Sequence, residues 1–228
     1  MARNINLAVG EYYHLYNRGT EKRNIFLNKN DYERFIVHLY LCNSQKPARP
    51  SAMQGPTLQE VFKRIIASNE KIVSIGAYCL MPNHFHILVR EREEGGISRF
   101  MQKLCTGYTM FFNKKYARTG VLFEGKYKSR HLNTDNYLKY VISYIHLNPV
   151  KLIDAHWKEN GISDKKKAEN FLSNYNYSSY LEYLKPDERA ENLILSKEDF
   201  PDYFENQENF RETVNDWLTF APARSDLA

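Results

Sequence analysis

The stretch Lys71–Glu91, KIVSIGAYCLMPNHFHILVRE, decides the fold. Lys71–Leu80 is mostly apolar, the pattern of a strand near the centre of a sheet. Met81-Pro82-Asn83 makes a tight connection, because proline fixes one turn dihedral and asparagine tolerates unusual ones. His84–Glu91 follows as a second strand, so the two runs form a hairpin. Upstream, Glu11–Asn17 (EYYHLYN) reads as an aromatic-rich strand closed by Arg18-Gly19. Asp31–Asn43 places Phe35, Ile36, Leu39 and Tyr40 at helical spacing, with Asp31 as its N-cap. Residues 44–57 read as a surface insertion holding three of the eight prolines, and Leu58–Ser68 resumes the helical period through Val61, Phe62, Ile65 and Ile66. Downstream, Gly95-Gly96 breaks the chain and Ile97–Arg118 is a long helix, stopped by Gly120. Val121–Leu132 is the fourth strand. Asn133 or Thr134 caps a last helix that runs to about Leu147, where Pro149 ends it. Strand, helix, strand, strand, helix, strand, helix is an α+β order of the split βαβ kind. It predicts a four-stranded antiparallel sheet with helices on one face and the other face open.

Composition bounds the function. The chain has 228 residues, 43% of them hydrophobic and 26% charged, which suits a globular protein with a real core. No run of about 18 apolar residues exists, so no membrane span is predicted. The first residues lack an apolar stretch of signal-peptide length, which implies a cytoplasmic protein. Cys42, Cys79 and Cys105 are widely spaced with no CxxC, which argues against a disulfide framework or a cysteine zinc site. The net charge of +5 hides an asymmetry: residues 1–180 carry +12 and residues 181–228 carry −7. A basic body in a chain with 17 tyrosines suggests a nucleic-acid partner, since cations meet phosphates and aromatic faces stack on unpaired bases. The acidic tail reads as a helical extension, either a cap on the domain or a shield over the basic face.

Three groups of residues could carry chemistry. His84 and His86 alternate with Phe85, Ile87 and Val89, so both imidazoles project from one face of their strand, suited to gripping one metal ion. In the last helix, TDNYLKYVISYIHLNP, an advance of 100° per residue sets Leu138, Val141, Ile142 and Ile145 in an apolar stripe. Tyr137, Tyr140, Tyr144 and Asn148 share one flank of it. A tyrosine oxygen can attack phosphorus once deprotonated, and an amide oxygen one turn away could add a metal ligand. Side-chain chemistry does not choose among the three tyrosines. Between Arg99 and Arg130 eight Lys/Arg face one acid, Glu124. Lys126, Lys128 and Arg130 alternate on the fourth strand with Glu124, as a phosphate track or a solvated edge would.

The run Ala77–Val89, AYCLMPNHFHILV, resembles the HUH-motif region of single-tyrosine transposases. Gly120–Ser129 (GVLFEGKYKS) is similar to the strand after their long helix. Tyr144–Val150 (YIHLNPV) is similar to the helix bearing their nucleophile, and Tyr177-Ser178-Ser179-Tyr180 to a WSSY-type segment beyond it. In this order the features resemble REP-associated tyrosine transposases over roughly Tyr12 to Tyr180. The resemblance implies a ferredoxin-like catalytic domain over 1–180 that nicks and joins single-stranded DNA, often beside a hairpin. It implies that His84 and His86 hold Mg²⁺ or Mn²⁺, with Asn148 completing the site where many of the wider family have glutamine. Tyr144 would then be the nucleophile, forming a 5′-phosphotyrosine. Arg18, Lys103, Lys114, Lys115, Arg118, Lys126, Lys128 and Arg130 would contact DNA, in a monomer or a homodimer. Two other functions stay open on the residues: a non-catalytic single-stranded nucleic-acid-binding module of the same topology, and a zinc hydrolase built on His84 and His86. The second lacks an HExxH or a third His/Cys ligand at a convincing spacing.

Overall fold

The computed structural model describes residues 7–45 and 71–219. The Leu58–Ser68 helix, most of the 44–57 insertion and the last nine residues of the tail lie outside the described residues. Four strands, β1 (Tyr12–Arg18), β2 (Val73–Met81), β3 (His84–Glu91) and β4 (Lys128–His131), form one antiparallel sheet in the order β2-β3-β1-β4. The β2–β3 hairpin closes with Met81 paired to His84, leaving Pro82-Asn83 as a two-residue turn. That turn is stapled to the chain after β1: Gly19 N donates to Asn83 O, and Ile25 N and Phe26 N donate to Pro82 O. Gly19 is needed for this approach, because a Cβ there would lie 2.3 Å from Arg23 O.

Helices α1 (Lys29–Leu41) and α2 (Gly96–Lys115) cover one face of the sheet. Phe35, Ile36, Leu39, Phe100, Leu104 and Tyr108 pack there against Tyr13, Leu15, Phe85, Ile87 and Val89, all essentially buried. The other face is not open. Ala77, Cys79 and Met81 of β2 and Leu88 of β3 make it apolar, and α3 (Asp135–Leu147) buries it with Leu138, Val141, Ile142 and Ile145. The reason is visible in β2, buried at every position: a strand apolar on both faces needs a layer on each.

Two boundaries also differ from expectation. The N-cap of α1 is Asn28, and Asp31, one turn in, reaches back to accept from Leu27 N and Asn28 N. The fourth strand is only four residues long, because residues 120–127 form a loop in which Gly120 and Gly125 take positive φ. Lys126 therefore precedes the strand.

Past α3 come α4 (Trp157–Asn160), α5 (Lys165–Leu172), α6 (Tyr180–Leu184) and α7 (Gln207–Thr219). The chain covers the free edge of β2 by backbone hydrogen bonds: Leu80 N to Tyr177 O, Ser179 N to Tyr78 O and Ser196 N to Ile75 O, each 2.9 Å. The Tyr177-Ser178-Ser179-Tyr180 segment is thus an edge clamp, and Ser179 Oγ also meets His146 Nε2 at 2.8 Å, tying α3 to the edge. Phe210, Val214 and Leu218 of α7 pack on Leu147 and Val150, so the tail caps the end of α3.

Asp31 joins the two helices on the first face. Its carboxylate is fully buried and accepts from Tyr116 Oη at 2.7 Å and Lys115 Nζ at 2.6 Å. Truncating one partner of such a network strands the others in a poorly solvated place. Asp31→Ala should cost about 3 kcal/mol of unfolding free energy by chemical denaturation; a loss below about 0.5 kcal/mol would contradict this role.

Candidate active site

The register between β1 and β3 assembles the site. Arg18 pairs with His84, Tyr16 with His86 and His14 with Leu88, so these side chains share the α3 face of the sheet. Lys128 pairs with Tyr16 and Arg130 with His14, which brings β4 to the same face. His14 and His86, diagonal neighbours, stand with Nε2 and Nδ1 2.9 Å apart. His84 Nδ1 lies 2.6 Å from Asn83 Oδ1, and the His84 and His86 rings meet edge to face at 5.0 Å.

Helix α3 delivers the tyrosines across this cluster. Thr134 caps it, its Oγ1 accepting from Tyr137 N at 3.2 Å. Of the three flank tyrosines, Tyr144 is the one whose ring meets the histidines: edge to face on His86 at 5.6 Å and on His14 at 5.9 Å. Tyr140 sits against Trp217 at 5.0 Å, and Tyr137 lies under the Arg130 guanidinium at 5.5 Å. Lys158 Nζ, from α4, stands 3.6 Å from the centroid of the Tyr144 ring. Asn148 follows one turn later at the helix C-cap. Its Nδ2 donates to Tyr144 O at 2.8 Å, while its Oδ1 is buried with no hydrogen-bond partner.

Burial sets the protonation states. His84 is pushed down to about 4, first by desolvation and then by the charges of Lys151, Lys158 and Arg18. His86 falls well below its ordinary value, mainly by burial, and His14 falls for the same reason with Arg130 and Lys158 adding to it. All three imidazoles are neutral at pH 7 and keep lone pairs for a Lewis acid. The Tyr144 phenol is raised by burial, while the Asn148 amide pulls it the other way. Two neutral imidazoles and an amide oxygen without a partner are a donor set that a divalent cation can satisfy. Among the described residues no group of three or more His, Cys, Asp and Glu side chains is arranged to hold a metal.

A family model described as "Transposase IS200 like" matches residues 11–148, from the residue before β1 to Asn148 itself. The chain belongs to the IS200-like transposase family. A solved structure of a REP-associated tyrosine transposase bound to a REP hairpin aligns with it at a TM-score of 0.46 and 12% identity, covering 84% of this chain and 89% of that one. No curated protein matches it. No helix among the described residues is long and apolar enough to cross a membrane.

This IS200-like chain does not carry its expected cations on one track. Arg18, Lys128 and Arg130 stand on the histidine face, Arg18 paired with Glu124. Lys126 is exposed in the loop before β4. Lys103, Lys114 and Lys115 belong to α2 on the opposite face, and Arg118 follows its C-terminus. Lys103 donates to Ser44 O at 2.6 Å, Lys115 is engaged by Asp31, and Arg118 donates to Asn113. Four residues at the site were not singled out from the sequence: His14, Tyr16, Lys151 and Lys158. His14 and Tyr16 had a signal, the alternation HLY within β1. What was missing was the register that sets them beside His86. Lys151 arrives from the 3-10 turn after α3 and Lys158 from α4, neither marked by a motif.

The buried histidines give a pH prediction. His38 and His146 are also lowered by burial, to about 4 and about 3. Five of the seven histidines therefore bind protons more readily unfolded than folded. Stability is full above an unfolded value of about 6.5 and falls as pH drops below it, because the unfolded chain takes up more protons. Metal-free protein should lose more than about 1.4 kcal/mol per pH unit between pH 6 and 4.5 in urea titrations. A flat profile over that range would contradict neutral burial.

Proposed function

We propose that this IS200-like transposase cleaves and rejoins single-stranded DNA through Tyr144. The observation that carries the proposal is the contact of the Tyr144 ring with His86 and His14, one turn before an amide oxygen that lacks a partner. In the cleavage step Tyr144 Oη attacks the scissile phosphorus as the bond to the 3′-oxygen breaks. The phenol proton is lost and the departing oxygen gains one, leaving a 5′-phosphotyrosine and a 3′-hydroxyl. The reverse attack by a 3′-hydroxyl rejoins the strand, so the phosphoester bond energy is kept and no nucleotide is consumed.

Within that scheme His84, His86 and Asn148 hold a divalent cation, Mg²⁺ or Mn²⁺. Bound there, the ion supplies Lewis-acid polarisation of the phosphate. Arg18, Lys128 and Arg130 track the backbone on the same face, and Lys151 and Lys158 add positive potential around the histidines. Lys158 over the Tyr144 ring also favours the developing phenolate, since a cation at a ring face opposes the desolvation that raises the phenol. DNA hairpins, with unpaired bases beside a stem, are the substrate class this basic and aromatic face suits.

The test is adduct formation with a single-stranded oligonucleotide on denaturing gels. Tyr144→Phe should bind DNA nearly as the native chain does yet form no adduct, whereas Tyr137→Phe and Tyr140→Phe keep it. His84→Ala and His86→Ala should each lower metal-dependent adduct formation by at least about a hundredfold. Adduct that survives in Tyr144→Phe, or in chelator, would sink the assignment. Salt-sensitive binding with no adduct under any metal would favour the non-catalytic module instead.

A further inference from the structure

His14 lies outside the two-histidine motif, yet it makes the one hydrogen bond that touches a ring nitrogen of His86 among the described contacts. Two neutral imidazoles joined Nε2 to Nδ1 share one proton between those atoms, and which ring owns it matters. If His14 Nε2 carries the proton, His86 Nδ1 accepts, and the His86 proton must sit on Nε2, where it blocks coordination. If His86 Nδ1 carries it, His14 Nε2 accepts and His86 Nε2 is left with a bare lone pair.

The neighbouring histidine shows the same device in unambiguous form. His84 Nδ1 faces Asn83 Oδ1, an atom that only accepts, so the His84 proton is on Nδ1 and Nε2 is bare. The Asn83 side-chain amide is held in that sense by its own Nδ2, which donates to Lys22 O at 3.2 Å, while Gly19 N, donating to the Asn83 backbone oxygen at 2.8 Å, anchors the turn. Asn83 thus serves His84 from the turn, and His14 stands in the equivalent place for His86 on β1.

We propose that His14 is the positioning residue of the site. It accepts from His86 Nδ1–H, fixes the tautomer and ring plane of His86, and so presents Nε2 to a divalent cation. The inference rests on the proposed metal-dependent function for the role of Nε2, but the tautomer itself is a property of the metal-free protein. Packing supports the geometry: the two rings lie 5.0 Å apart and 26° from parallel, and the Tyr144 ring meets both edge to face. Partners that orient a ligating histidine typically change metal affinity by about 10–100-fold when removed.

The experiment uses the full chain labelled with ¹⁵N in its histidines. Long-range ¹H–¹⁵N spectra at pH 7.5, without metal, report which ring nitrogen of each histidine is protonated. In free neutral imidazole side chains the Nε2–H form predominates, so Nδ1–H at both His84 and His86 is the diagnostic result. His14→Phe should return His86 to Nε2–H while His84 is unchanged. His14→Gln, whose Oε1 can accept in place of Nε2, should keep the native His86 tautomer. Mn²⁺ titration of the same samples, read by paramagnetic broadening of the His84 ring, should show affinity reduced about 10–100-fold in His14→Phe and largely kept in His14→Gln.

A native His86 already in the Nε2–H form overturns the proposal. So does a His14→Phe protein with native tautomer and affinity, or a His14→Gln protein as defective as His14→Phe, which would reduce His14 to packing. Failure of the underlying function looks different: Mn²⁺ binding in the native chain would then be absent, or indifferent to His84→Ala, whatever the His86 tautomer.

Discussion

Seven residues of β1 lie antiparallel to β3, from Tyr12 opposite Arg90 to Arg18 opposite His84, and this register is the constraint on which the site depends. It sets His14 diagonal to His86 and Arg18 beside His84, and it passes the same face on to Lys128 and Arg130 of β4. A slip of one residue would turn every one of these side chains to the opposite face and bring Tyr13 and Leu15 out of the core. The slip is opposed from both sides. Leu15, Phe85 and Ile87 are fully buried against α1 and α2, and Leu88 is fully buried against α3. The turn is stapled as well, since Gly19 and the 25–26 backbone bond Pro82 and Asn83. The geometry of the candidate site is therefore enforced by the hydrophobic core and not by the polar residues themselves.

Placing the site under a helix has an electrostatic consequence. His14 and His86 are only 7% and 6% exposed, and the charges nearest to them are cations. Such a site disfavours protonated imidazole and has unmet demand for negative charge. In the proposed function an anionic phosphate would answer the cations, and a Lewis acid would answer the lone pairs and the partnerless Asn148 Oδ1. The same burial raises the Tyr144 phenol. Rigidity comes from beyond the site: Ser179 holds His146 of α3, and α7 packs across Leu147 and Val150 just before the turn that carries Lys151.

Much of this was legible in the residues, and the exceptions have physical causes. The hairpin followed from Met81-Pro82-Asn83 between apolar runs, although Met81 pairs with His84 and only Pro82-Asn83 form the turn, and the His84/His86 pair followed from strand alternation. The stripe and flank of α3 came from helical periodicity, which grouped Tyr137, Tyr140, Tyr144 and Asn148 but could not rank the tyrosines. The resemblance named Tyr144, and the crossing of α3 over the sheet is the tertiary fact that puts Tyr144 over the histidines and Tyr140 under Trp217. The expected open face is covered because β2 is uniformly apolar and requires a layer on both sides. The expected basic track divides because Lys103 and Lys115 are on α2, where a backbone carbonyl and the buried Asp31 hold them. His14 was not singled out because alternation shows which face a residue takes and register alone shows its neighbour.

The central claim is that one particular phenol oxygen becomes bonded to DNA. Its most direct measurement is peptide mapping of the native chain after trapping with a single-stranded hairpin oligonucleotide, nuclease digestion and trypsin. Cleavage after Lys139 and Lys151 yields YVISYIHLNPVK, in which fragmentation separates Tyr140 from Tyr144, and Tyr137 falls in the preceding peptide. The account predicts nucleotide mass on Tyr144 alone, dependent on Mg²⁺ or Mn²⁺. Nucleotide mass on Tyr137 or Tyr140, or an unmodified Tyr144 in protein that has cut its substrate, would contradict it.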